Sequence, residues 1–109
     1  MARWFDCPYL GSTVELTDER EAHIRLKHEA TLDDGGRRVE GALAEPFQVR
    51  RSRTDDSARL FIRWYDDLQD GKFVIAVVID DRSRGGRPWL VTAYVTDQPR
   101  RGVLEWERA

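Results

Sequence analysis

Residues 88–96 read PWLVTAYVT, a run that alternates with period two and is rich in β-branched and aromatic side chains. That is the pattern of a strand with two distinct faces. On strict alternation Trp89, Val91, Ala93 and Val95 share an apolar face, while Leu90, Thr92, Tyr94 and Thr96 share a mixed one. Working back towards the N-terminus, residues 72–80 (KFVIAVVID), 58–65 (ARLFIRWY) and 47–53 (FQVRRSR) have the same character. The run from Phe73 to Ile79 is apolar on both faces, as a covered strand should be. Only TDDS, DDLQDG and DRSRGGR separate the runs, and short polar connections between consecutive strands predict an antiparallel meander.

The N-terminal half has a different rhythm. TVEL (residues 13–16) alternates and reads as a short strand. Thr17 then offers an N-cap, with Asp18 and Glu19 placed to meet the helix dipole, so a helix is expected from there to about His28. GGRRVEGALAEP reads as a second helix with Val39, Ala42 and Leu43 as its apolar stripe and Pro46 as its stop. The tail, DQPRRGVLEWERA, is ambiguous; its apolar Val103, Leu104 and Trp106 could pack as a short lid. The expected architecture is α+β: two N-terminal helices followed by a four-stranded antiparallel meander in one domain, residues 1–109.

Composition narrows the function classes. The chain is 35% charged with a formal net charge of -2, so no global basic field marks a nucleic-acid binder, although 18 Lys and Arg can still cluster. Cys7 is the single cysteine, which excludes an intrachain disulfide and fits a reducing, cytoplasmic setting. No segment approaches the ~18 apolar residues of a membrane span, and the start lacks the apolar core of a signal peptide. Both a self-contained protein and a module of a longer one fit this length.

Both histidines lie in LTDEREAHIRLKH. His23 and His28 are five residues apart, roughly 140° around a helix, so they cannot chelate one metal as an i, i+4 pair would. No metal or cofactor is expected. On the helical wheel His23 points towards whatever this helix packs on; there it is either a half-buried histidine satisfied by backbone or a proton-transfer group. In residues 58–65, Leu60, Ile62 and Trp64 share one face, and Arg59, Phe61, Arg63 and Tyr65 the other. If the pure apolar face receives the helices, arginines, tyrosines and two hydroxyls gather on the mixed face. His23 joins them only if the sheet curves or its helix lies at the sheet edge.

With these pieces in this order, the chain resembles the barnase–EndoU–colicin–RelE superfamily of small endoribonucleases, particularly its phage- and toxin-associated branch. The stretches that carry the resemblance are LTDEREAHIRLKH, LFIRWY, FVIAVVI and, above all, LVTAYVTDQPRRG, spanning most of the chain from Leu16 to Gly102. Glu21 and Glu29 stand where related sequences tend to have Trp and Pro. The resemblance implies a cytoplasmic, metal-independent nuclease with RNA as substrate and an antitoxin or immunity protein as a possible partner. Carried over by position, the catalytic candidates are His23, Arg63 and Thr92 or Thr96, with His28 and Tyr94 beside them. Lys27, Arg51, Arg53 and Arg59 are the candidate substrate-binding cations. The implied reaction is attack of the ribose 2′-OH on the adjacent phosphorus, leaving a 2′,3′-cyclic phosphate. The competing reading is a non-catalytic RNA- or protein-binding module, built on the arginine-rich run VRRSRTDDSARLFIR.

Overall fold

A computed structural model describes residues 2–32 and 34–109, with the backbone alone at residues 29 and 30. The side chain of Glu29 therefore lies outside the described residues. The expected architecture is overturned. Among the described residues the strands form one mixed, seven-stranded sheet accompanied by two α-helices, in place of two helices and a four-stranded meander. The strands are β1 (Arg3–Cys7), β2 (Ser12–Leu16), β3 (Gln48–Arg51), β4 (Ala58–Tyr65), β5 (Lys72–Asp80), β6 (Pro88–Thr96) and β7 (Val103–Glu107), and the helices α1 (Asp18–Lys27) and α2 (Arg37–Ala44). The order across the sheet is β1-β2-β6-β5-β4-β3-β7.

Two features of the termini cause the difference. The segment RWFDC alternates and buries Phe5 and Cys7 while Trp4 and Asp6 stay out, so it forms a strand and pairs antiparallel with β2 along its length. Burial also pushes the Cys7 thiol pKa up, which suits an inert core thiol. β2 then joins the sheet in parallel with β6 at Glu15↔Trp89, making the sheet mixed. At the other end, Val103, Leu104 and Trp106 belong to a strand paired antiparallel with β3, and not to a lid.

Both helices pack on one side of the sheet. Thr17 caps α1, its hydroxyl accepting from the Arg20 amide at 3.2 Å, and Asp34 caps α2, its carboxylate accepting from the Gly36 and Arg38 amides at 3.0 and 2.9 Å. Ile24, Val39, Ala42 and Leu43 from the helices meet Phe61, Val74, Ala76, Val78, Leu90 and Ala93 from the sheet in one core. Phe61 is fully buried there; a side chain of this kind stabilises the fold by about 1.5–3 kcal/mol through burial.

Leu60, Ile62 and Ile75 form a second cluster on the opposite side, with Phe73, Val77 and Tyr94 packed against it. Among the described residues no helix covers this face; the β6–β7 connection does. Four successive antiparallel pairings make β6 and β7 parallel, at positions separated by three strands, so residues 97–102 must cross the sheet diagonally. The connection is a strap across this face, bent where the Arg100 amide donates to the Gln98 carbonyl at 3.0 Å. Lys72 pins its start through an ion pair to Asp97 at 2.6 Å.

Candidate functional site

The geometry of the site follows from one irregularity in β6. Thr92 pairs with Val77 but Leu90 pairs with Val78, so Val91 is the extra residue of a β-bulge. The bulge reverses the alternation. Leu90, Ala93 and Val95 face the helices, whereas Thr92 and Tyr94 face the strap.

β2 pairs with β6 only at its first turn of ladder, so the rest of that edge of β6 is open. Arg20 fills it, donating from Nε and Nη2 to the Val91 carbonyl at 2.8 and 2.6 Å. This fork holds α1 along the sheet edge, and His28 caps the C-terminus of α1, its amide donating to the Ile24 carbonyl at 2.7 Å. The His28 ring meets the Tyr94 ring at 5.9 Å between centroids. The Arg101 guanidinium lies 5.8 Å from the centroid of the same Tyr94 ring. An imidazole, a phenol and a guanidinium thus converge at the border of the sheet face. Burial raises the Tyr94 pKa, with Arg101 opposing the shift, so the phenol keeps its proton at neutral pH.

Beside this cluster is a groove of about 440 Å³ under the strap. Leu60, Val77 and Thr92 form its floor, Arg100 and Arg101 one wall, and Ser52, Arg53 and Thr54 the other. The Thr92 hydroxyl is buried in it without a hydrogen-bond partner among the described residues. Such a group normally has one, and leaving it bare costs about 1–3 kcal/mol. A second hollow of about 470 Å³ adjoins on the far side of Tyr94, lined by His28, Thr31, Gln69, Lys72, Thr96 and Asp97.

The residues expected from the sequence divide accordingly. His28, Thr92, Tyr94, Thr96 and Arg53 are brought to these two hollows. His23 lies one helical turn back and is half-buried; its pKa is lowered by burial first, then by Arg20, Lys27 and His28, which keeps the imidazole neutral. Lys27 is exposed on the same helix.

Arg63 is not part of the set. It stands on the helix side of β4, where Nη1 donates to the Glu45 carbonyl at 2.6 Å and the guanidinium lies over Phe47 and Tyr65. Arg59 is on that side too, bound to Glu105 at 2.8 Å, and Arg51 is the exposed neighbour that pairs with it. The expected grouping of Arg63 with Thr92 and Tyr94 on one face therefore fails, because the face of β4 that carries Arg63 also carries buried Phe61 and packs against α2. Arg100 and Arg101 were missed; their signal was the stretch DQPRRG following β6, read as a tail.

Elsewhere, a hollow of about 510 Å³ is lined by Asp55, Asp56, Asp80 and Asp81 with Arg59 and Arg84, and its carboxylates oppose a polyanion. No helix among the described residues is long and apolar enough to cross a membrane. Among those residues no three His, Cys, Asp or Glu side chains are grouped to hold a metal ion. The chain matches no protein-family model, no curated protein and no solved structure.

Proposed function

We propose that the protein is a metal-independent endoribonuclease of the barnase–EndoU–colicin–RelE type, with its active site where His28, Tyr94 and Arg101 meet. The observation that carries the reading is the Tyr94 ring approached by both His28 and Arg101, at the mouth of a groove walled by Arg53, Arg100 and Arg101. The groove is cationic although the chain as a whole is not, which is what a phosphodiester needs.

In this mechanism His28 in its neutral form takes the proton from the ribose 2′-OH. The 2′-oxygen then forms a bond to phosphorus as the bond from phosphorus to the 5′-oxygen breaks. Arg100 and Arg101 neutralise the charge that builds on the phosphoryl oxygens. Tyr94, held in its protonated form, donates to the leaving 5′-oxygen and recovers its proton from the His28 imidazolium. The product is a 2′,3′-cyclic phosphate, and DNA, lacking the nucleophile, is not a substrate. A toxin-type enzyme of this kind acts in the cytoplasm, and its antitoxin or immunity protein covers the groove.

The test is cleavage of total RNA and tRNA in EDTA by the wild type, His28→Ala, Tyr94→Phe, Arg101→Ala and Arg63→Met. Discrete cleavage that falls at least a hundredfold in the first three variants and survives in Arg63→Met supports the site. Salt-sensitive binding without cleavage overturns the nuclease reading in favour of a binding module. Activity lost only in Arg63→Met overturns the site.

A further inference from the structure

Of the six large apolar side chains that stand exposed among the described residues, four gather at one corner: Tyr9 (38%), Val103 (41%), Leu104 (46%) and Trp106 (39%). Three of them come from β7, the last strand of the sheet, whose five residues are all exposed and whose outer edge pairs with no described strand. An apolar patch that runs along an open strand edge, with a Trp and a Tyr in it, is a surface for another chain. We infer that its occupant is a second copy of this protein, the two β7 strands pairing antiparallel about a two-fold axis at Leu104.

The self-complementarity follows from an irregularity in β7. Trp106 pairs with Val49 but Leu104 pairs with Arg50, so Glu105 is the extra residue of a bulge. Val49 belongs to the helix-side core, so Trp106 faces the helices, where its ring meets Tyr9 at 6.1 Å between centroids. Val103, opposite Arg51, is on that same face, whereas Leu104 and Glu107 are on the strap side. Set Leu104 against Leu104 of a second copy. Because the bulge makes Glu105 and Trp106 share one ladder position, Val103 of each copy then falls opposite Trp106 of the other. Every exposed apolar residue of β7 meets another on its own face. Glu105 leaves no bare carboxylate at the axis, since it already accepts from Tyr9 Oη at 2.7 Å and from Arg59 Nε at 2.8 Å.

Charge selects the direction of pairing. The exposed Arg100 lies ahead of β7 and Glu107 closes it, while Arg108 is turned back over the Phe47 ring of its own chain. Antiparallel pairing brings the cationic entry of each strand to the acidic end of the other; parallel pairing would set like against like. A two-fold axis normal to the sheet keeps the helices of both copies on one side and leaves both grooves open on the other. The short length and the bulge blunt this edge against open-ended growth, so association closes at two. An interface of five-residue strands is small, and the dimer is therefore reversible and concentration-dependent. The pairing holds whether or not the groove cleaves RNA.

The experiment is sedimentation equilibrium of the full chain over a range of concentrations, with Leu104→Lys, Leu26→Lys and Leu104→Cys beside the wild type. A monomer–dimer equilibrium is expected. Leu104→Lys sets two like charges against each other on the axis and should weaken dimerisation at least tenfold with an unchanged circular dichroism spectrum. Leu26, 85% exposed on α1 and away from this corner, is the control, and Leu26→Lys should dimerise as the wild type does. Leu104→Cys should form a disulfide-linked dimer on air oxidation, because residue 104 faces its own copy and the buried Cys7 does not compete. A wild type that stays monomeric at every concentration overturns the inference. So does a dimer that Leu104→Lys leaves intact, a dimer in which Leu104→Cys fails to cross-link, or association that grows past two. If Leu104→Lys does not fold, the cross-link decides alone.

Discussion

The position of the strap depends on Gly102, and its replacement by alanine should be costly for two separable reasons. Gly102 has φ +78°, a conformation that costs an L-residue about 1–2 kcal/mol, partly offset by the ~0.4–1 kcal/mol that alanine gains through the unfolded chain. A Cβ built at Gly102 would also stand 2.5 Å from the Arg51 carbonyl oxygen and 3.2 Å from its carbon. Arg51 is hydrogen-bonded into the β3 ladder with both β4 and β7, so it cannot move without disturbing two strands. Relieving such an overlap costs about 1–3 kcal/mol. The sum is roughly 2–4 kcal/mol, which lowers Tm by about 10–25 °C in a domain of this size. Gly85 supplies the control: its φ is +80° and a Cβ there meets nothing within 4 Å, so Gly85→Ala carries the conformational cost alone. Thermal unfolding followed by circular dichroism should therefore rank wild type, Gly85→Ala and Gly102→Ala in that order. The last should also lose RNA cleavage at temperatures where it is still folded, because Arg100 and Arg101 precede the disturbed residue. Equal melting temperatures for the two variants would refute the account of a strap anchored against the Arg51 backbone.

Thr92→Val should separate stability from function. It replaces a buried, unpartnered hydroxyl with a methyl group of similar shape and should raise stability by about 1 kcal/mol, while lowering cleavage if that hydroxyl contacts the RNA; a variant both less stable and fully active would contradict its place in the groove. Tyr9 links the first corner of the sheet to its last strand by donating to Glu105 Oε1 at 2.7 Å, and Arg59 donates to the same oxygen at 2.8 Å. Burial and the Glu105 carboxylate push the Tyr9 pKa up to about 12 from 10.0. A raised phenol pKa means that its stabilising contribution is complete below the unfolded value and is lost as pH rises from about 10 to about 12. Alkaline unfolding of Tyr9→Phe should therefore be flatter across that window than that of the wild type, and an identical pH profile would remove Tyr9 from the link.

How much of this was legible in the sequence depends on which kind of information each feature needs. Period and caps are local, and they served well where packing was local: Thr17 caps α1, and Val39, Ala42 and Leu43 are the buried stripe of α2. β1 offered only five residues of alternation and β7 exposes every residue, so neither carried a burial pattern strong enough to place it in a sheet. Partner strands are a long-range property: the local β1–β2 hairpin joins the rest of the sheet through a parallel bridge between Glu15 and Trp89, and β7 joins through pairing with β3, some fifty residues earlier in the chain.

The expected grouping of the candidate residues on one face failed for a sharper reason. Alternation within β4 and β6 separates each strand into two faces, but it does not say which face of one lies beside which face of the other. Arginines made the Arg59–Arg63 face look wet, yet the long side chains reach outwards to Glu105 and to the Glu45 carbonyl while Phe61 between them is fully buried. In β6 the bulge at Val91 shifts the phase by one residue, placing Leu90 with Ala93, three positions apart, on the helix side. No hydrophobic pattern announces an extra residue whose carbonyl is claimed by a side chain from α1. That same bulge supplies the acceptor for Arg20, fixes α1 at the edge and so brings His28 to Tyr94. The irregularity that misled the reading of faces is therefore the feature that assembles the site, and its effect was invisible until β6 had a neighbour on each side.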